Sequence, residues 1–339
     1  MEDLLNLIIE LGKIRKVPQL VYFSGIHGHG AIKLKETIVA FKRSIPNGQE
    51  INEIDFILNS PGGSPNDSYR ILRTLRKNFQ IVNVIVPFWA KSAATLLSLG
   101  GSRIIMDEFA EFGPLDIQLL KERDDNFFLD PDDRESALID EISLATIEKR
   151  AHNLFLNMFI SIHTHKYIPI NKNDLANDIM TYLSKFYEPL LSQINPYKIG
   201  DKRRKNDIGM KYAKRILMDY HPQISEYEVD KFVDFLVNEC PDHGYVIDYN
   251  LLKKQLPDIP LIDSKQLDTT FAGYSDRLTD ITLYLLSSEE EHTYIGFVEQ
   301  QKDENEVNIN KEPELKLNDI VEQDKKENNG TIKKKNPVK

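Results

Sequence analysis

The chain holds one cysteine, Cys240, and one tryptophan, Trp89, in 339 residues. A single thiol excludes an intrachain disulfide and any zinc site built from several cysteines of one chain. It fits a reducing compartment, so a cytoplasmic protein is expected. No apolar run reaches the roughly 18 residues a membrane-spanning helix needs, and no transmembrane segment is expected. Residues 1–18 begin with acidic residues and lack both a basic start and a small-residue cleavage site. They read as an amphipathic helix and not as an export signal. Basic residues do not dominate either: the formal charge of −10 disfavours nucleic-acid binding, which needs a cationic surface to meet phosphates. No Gly-x-Gly-x-x-Gly follows a predicted strand, which discounts a nicotinamide enzyme, and no cofactor is expected. His27 and His29 could share a metal, but no third ligand stands nearby, so no metal site is expected and the pair reads as loop or rim residues.

What is present is concentrated between Asp55 and Leu119. Ile54, Phe56, Ile57 and Leu58 form a β-rich run that stops at Asn59-Ser-Pro-Gly-Gly63-Ser-Pro65, through which no regular strand or helix continues. Asn66, Asp67 or Ser68 can cap the helix that follows, whose Tyr69, Leu72 and Leu75 recur at helical spacing. Ile81–Val86 is a buried strand leading to Ser92, which stands at the entry of a helix closed by Gly100-Gly101. A hydroxyl there lies beside unpaired backbone N–H groups and the positive end of a helix dipole. Glycines at 62 and 63 let the backbone approach a ligand, so two turns at the carboxyl ends of neighbouring strands can face one crevice. The bland alternative is that Ser92 merely caps its helix and the glycines merely turn the chain.

Asn59-Ser-Pro-Gly-Gly63, the step of 29 residues from Gly63 to Ser92, Ala90-Lys-Ser-Ala-Ala-Thr95 and Phe112-Gly-Pro-Leu-Asp-Ile-Gln118 together resemble the serine dehydrogenase proteinase family. That family is related to signal peptide peptidases and the Clp proteolytic subunit. The resemblance runs over roughly residues 15–262 and implies an α/β fold of the Clp/crotonase kind, a parallel sheet core with a helical C-terminal extension. It implies a serine peptidase with Ser92 as nucleophile and the N–H groups of Gly62, Gly63 and Ala93 around the oxyanion. It also implies a peptide or protein substrate and a homo-oligomer. Phe112–Gln118 holds no histidine, so the Ser-His-Asp arrangement of the Clp subunit does not transfer. Lys121 and His243 are the two candidate bases, and Asp116 could orient one. Lys91 is expected to point elsewhere. A catalytically inactive oligomeric scaffold, or an acyl-thioester enzyme using the same turns, is the alternative.

The chain before and after this stretch sets the boundaries. Gln19–Phe23, a glycine-rich loop and a helix through Ile38 and Phe41 complete a first βαβ unit, so a parallel sheet with right-handed crossovers is expected. The domain so predicted is 19–262, with a helical insertion at about 135–240. Within it, Leu144 to Ile162 and Leu175 to Ile194 form two apolar stripes, Gly200 interrupts the pattern before a third helix, and Ser225-Glu-Tyr-Glu228 is a capping box. The basic run Lys198–Lys205 reads as solvated surface. Residues 263–298 show no clear period, and 299–339, rich in Lys, Glu, Asp and Asn, read as a disordered charged tail.

Overall fold

The computed structural model describes residues 1–46, 49–115, 118–120, 134–136, 139–165, 170–242, 244–288 and 292–298. All fall within one compact unit, Met1–Glu299. The charged tail read from the sequence lies outside the described residues.

In chain order the elements begin with α1 (Glu2–Arg15), β1 (Gln19–Phe23), α2 (Gly28–Ser44), β2 (Glu53–Asn59), α3 (Pro65–Asn78) and β3 (Ile81–Val86). There follow β4 (Trp89–Ala90), α4 (Ala93–Ser98), β5 (Arg103–Met106), β6 (Glu111–Phe112), β7 (Gln118–Leu120) and β8 (Arg134–Ser136). The helical part is α5 (Ile139–His163), α6 (Lys172–Leu191), α7 (Pro196–Tyr220), α8 (Glu226–Asp234) with a π-helical turn at Phe235–Glu239, and α9 (Tyr249–Gln255). The chain closes with β9 (Leu261–Asp263), α10 (Ser264–Leu267), α11 (Tyr274–Ser287) and β10 (Tyr294–Val298).

The main sheet runs β10-β1-β2-β3-β5-β9. Every pairing is parallel except β10 against β1. Alternation along the strands divides the core between its two faces. Leu20, Phe56, Leu58, Val82, Val84 and Ile104 pack with α2, α3, α4, α7 and α8, while Val21, Phe23, Ile57, Ile85 and Ile105 pack with α1 and α11. Both faces are covered, as a parallel sheet requires. Asp55 on β2 is fully buried. It is tolerated because Arg15, at the end of α1, donates Nε and Nη2 to its two oxygens at 3.1 Å, and Gln19 and Asn83 add amide hydrogen bonds. A buried charge survives only when paired and hydrogen-bonded, so this cluster also pins α1 against the sheet.

Several boundaries differ from the sequence reading. α3 starts at Pro65 with Ser64 as its N-cap, its hydroxyl accepting from the Asp67 N–H at 3.3 Å, because proline at the first helical position loses no hydrogen bond. α7 runs unbroken through Gly200, where an added Cβ would meet no neighbouring element within 4 Å and φ is not positive. In α6, Leu175, Ile179 and Leu183 are buried against α5, yet Phe186 and Leu190 are exposed. The capping box at Ser225 is formed in full. The segment 263–298, which has no period in sequence, supplies α10, α11 and the edge strand β10.

Beyond the carboxyl ends of β1, β2, β3 and β5 a second, shorter row of pairings forms. Ile26 bridges Gly63, Ser60 bridges Ala90, β4 pairs with β6, and Phe112 bridges Ile247. This row holds the two turns picked out from the sequence.

Candidate active site

Ser92 lies between β4 and α4 with φ 51° and ψ −116°. Among the described residues only Lys16 is another non-glycine residue with positive φ. Such a conformation costs on the order of 1–3 kcal/mol and persists only where the surroundings enforce it. Here they do so from both sides. The Lys91 N–H donates to the Ser60 carbonyl at 3.0 Å, and the Ala94 N–H to the Lys91 carbonyl at 2.9 Å. The Ser68 hydroxyl, on α3, donates to the Ala93 carbonyl at 2.7 Å. The Thr95 hydroxyl lies 2.8 Å from the Ala90 carbonyl and 2.7 Å from the Gly113 carbonyl, and accepts from the Gly113 N–H at 3.2 Å. Ser92 is thus held off the regular helix path, half-buried, its hydroxyl making no hydrogen bond to any described residue.

The second turn rests directly on the first. Gly62 and Gly63 have φ of 99° and 143°, a region that favours glycine. A Cβ on Gly62 would meet the Lys91 carbonyl oxygen at 2.5 Å, and one on Gly63 would meet the Ile26 carbonyl oxygen at 2.1 Å. The Gly62 carbonyl accepts from the Ile26 N–H at 2.7 Å, and the Ser64 N–H donates to the Ile26 carbonyl at 2.8 Å, so the turn is tied down in the second row of pairings. The Gly62 N–H donates to the Ser60 hydroxyl at 3.1 Å. The N–H groups of Gly63 and Ala93 donate to no described residue.

Other sequence candidates fall as follows. Lys91 is buried and its Nζ forms an ion pair with Glu111 at 2.7 Å, its stem passing beneath Gly113. Lys121, His243 and Asp116 lie outside the described residues. His27 is the N-cap of α2, its Nδ1 accepting from the Gly30 N–H at 3.0 Å, and its ring lies 6.4 Å from that of His29. Among the described residues no group of three or more His, Cys, Asp or Glu could hold a metal ion. The parts played here by Ser60, Ser68, Thr95 and Glu111 escaped the sequence reading, which took Ser68 only as a candidate helix cap, although hydroxyl residues inside Ser-Pro-Gly-Gly and Ser-Ala-Ala-Thr are natural partners for the orphan groups of tight turns.

Comparison with known proteins bears on the same stretch. The model of ClpP-like SDH-type serine proteinases matches residues 19–186, which include both turns. Over these residues the chain matches that family. An uncharacterised Methanocaldococcus jannaschii protein, MJ0137, is 32% identical over 127 residues, 37% of this chain and 44% of that protein. A second from the same organism, MJ1495, is 36% identical over 77 residues, 23% of this chain and 26% of that protein. The chain thus spans less than half the length of these relatives. Among solved structures, a mutant of the 1510-N membrane-bound stomatin-specific protease aligns with a TM-score of 0.37 and 10% identity, over 74% of this chain and 80% of that one. A ClpP1 mutant from Listeria monocytogenes aligns at 0.34 and 11% identity, over 77% and 98%. No described helix is long and apolar enough to cross a membrane.

Proposed function

We propose that this SDH-type proteinase domain hydrolyses peptide bonds through an acyl-enzyme on Ser92. The observation that carries the reading is the strained Ser92 packed against a glycine turn, where its hydroxyl and the N–H groups of Gly63 and Ala93 make no hydrogen bond to any described residue. Ser92 Oγ attacks the scissile carbonyl, its proton passes to a base, and the carbonyl oxygen becomes an oxyanion. The Gly63 and Ala93 N–H groups donate to that oxyanion. Gly62 is assigned a different part from the one read in sequence: its N–H is committed to Ser60, so it serves by bringing the two turns into contact. The proton then goes to the departing amine, and water hydrolyses the ester to free Ser92. Each preorganised donor is worth on the order of 100-fold to 1,000-fold in rate. Lys121 and His243 remain the candidates for the base.

Peptide or protein substrates belong to this proposal. So does self-association, for which Met180, Phe186 and Leu190 leave an apolar face on α6 exposed. A reducing, cytoplasmic location suits the lone Cys240.

The test is labelling with a serine-directed fluorophosphonate. The wild-type protein is expected to become modified at Ser92, and Ser92→Ala to fold with a comparable thermal midpoint and stay unlabelled. Absence of labelling in folded wild-type protein defeats the reading and favours the inactive scaffold or the acyl-thioester enzyme, and equal labelling of Ser92→Ala defeats it by placing the reactive group elsewhere.

A further inference from the structure

α3 starts at the candidate active site and, at about 1.5 Å per residue, its far end lies roughly 20 Å away. There α2, α3 and the end of α7 border a groove of about 620 Å³. Its charged lining residues, Lys35, Arg73, Arg76 and Lys77, are all cations, and Tyr220 forms one wall. In a chain of net charge −10 this is a local reversal of sign.

Two ordinary explanations cover only part of it. Arg76 and Lys77 stand in the last turn of α3, where a cation offsets the roughly half a negative charge of the helix end. Lys35 and Arg73 are not in that turn. Ion pairing is the other explanation, yet none of the four pairs with a carboxylate of any described residue. Lys42 close by is accounted for, its Nζ donating to the Asn78 carbonyl at 2.7 Å and lying over the Phe79 ring.

Arg76 is the decisive residue. Its guanidinium is partly withdrawn from water, donates to the Ser102 hydroxyl and stacks on the Tyr220 ring at 4.8 Å from its centre. Neither partner carries a compensating charge, since burial also raises the Tyr220 phenol above its usual range. Burial lowers the pKa of Arg76 in turn, the direction expected of a cation lacking a counter-ion. Charges taken from water are normally paired. Arg76 is half-buried and faces the end of α3, a hydroxyl and a ring, none of them an anion.

We propose that this groove binds a small molecule carrying phosphoryl groups. Two guanidinium forks, Arg73 and Arg76, suit the bidentate geometry of phosphoryl oxygens, with Lys35 and Lys77 acting as flexible point charges. The volume falls in the range of small-ligand pockets and holds a nucleotide-sized molecule, whereas an extended acidic peptide needs a longer track.

The experiment is isothermal titration of the full chain with pyrophosphate and with adenosine triphosphate. Saturable binding with Kd below about 1 mM is expected for one or both, weakening as salt rises. Lys35→Gln and Arg73→Gln change exposed side chains and should leave the thermal midpoint unchanged while weakening binding about tenfold or more. Lys185→Gln, on the exposed face of α6, should bind as the wild type. The proposal fails if neither probe saturates, if the two groove variants bind as tightly as the wild type, or if a polyglutamate peptide binds more tightly than both probes.

Discussion

Replacing Gly62 with alanine tests the contact between the two turns. The added methyl would lie 2.5 Å from the Lys91 carbonyl oxygen, 2.9 Å from Ser92 Cβ and 3.2 Å from the Ala93 nitrogen. The nearest obstacle is backbone, and that carbonyl already accepts from the Ala94 N–H at 2.9 Å, so it cannot swing aside without undoing the first turn of α4. Ordinary contact begins at 3.4 Å, which requires the turns to part by about 0.9 Å. A displacement near 1 Å of a reacting group costs on the order of 100-fold in rate. The φ of 99° adds roughly 1–3 kcal/mol of backbone strain for a residue with a Cβ. Gly62→Ala should therefore react with a fluorophosphonate about 100-fold more slowly than the wild type and melt at a lower temperature. Gly273→Ala is the control: its φ is 77° but nothing lies within 4 Å, so it should lose only about 1–2 kcal/mol and label at the wild-type rate. If Gly62→Ala labels as fast as the wild type, the close packing of the turns plays no part in presenting Ser92.

Two further expectations concern titratable groups away from the site. His221 is 2% exposed, with Nε2–H donating to the Leu99 carbonyl at 2.8 Å, and burial holds its pKa below the usual 6.5. The folded state thus favours the neutral ring: stability is full above about pH 6.5 and falls as pH drops through that value toward the depressed folded pKa. The thermal midpoint of the wild type should accordingly fall more between about pH 7 and pH 5 than that of His221→Gln, and parallel profiles would refute the assignment. The Cys240 thiol is pushed up to about 11, first by burial and then by Glu239 and Asp242. At pH 8 about one thiol in a thousand is ionised, so iodoacetamide should modify Cys240 slowly and leave fluorophosphonate labelling intact. Rapid alkylation would contradict that burial.

Local chemistry was legible wherever a residue type has few conformational options. Asn59-Ser-Pro-Gly-Gly63 had to break a strand, Ser225 and Glu228 had to start a helix, and the alternating βα pattern from Gln19 to Met106 had to build a parallel sheet, because these follow from φ limits, hydrogen-bond supply and hydrophobic period. The placing of Ser92 at a turn facing Gly62-Gly63 followed from the same signals. Tertiary structure alone decided the rest. Whether the Gly62 N–H is available depends on the Ser60 hydroxyl, and the direction of Lys91 depends on Glu111 across the β4–β6 pair. The φ of Ser92 is enforced by Ser68, reaching in from a neighbouring helix, and by Thr95, which ties the first turn of α4 to the loop at Gly113. β10 closes the sheet edge nearly 280 residues after its partner β1 begins. Ser60 and Gly62 are two residues apart, but the other contacts join residues 18 or more apart, and no local period or propensity encodes which of many chemically suitable partners the fold will bring within hydrogen-bond reach.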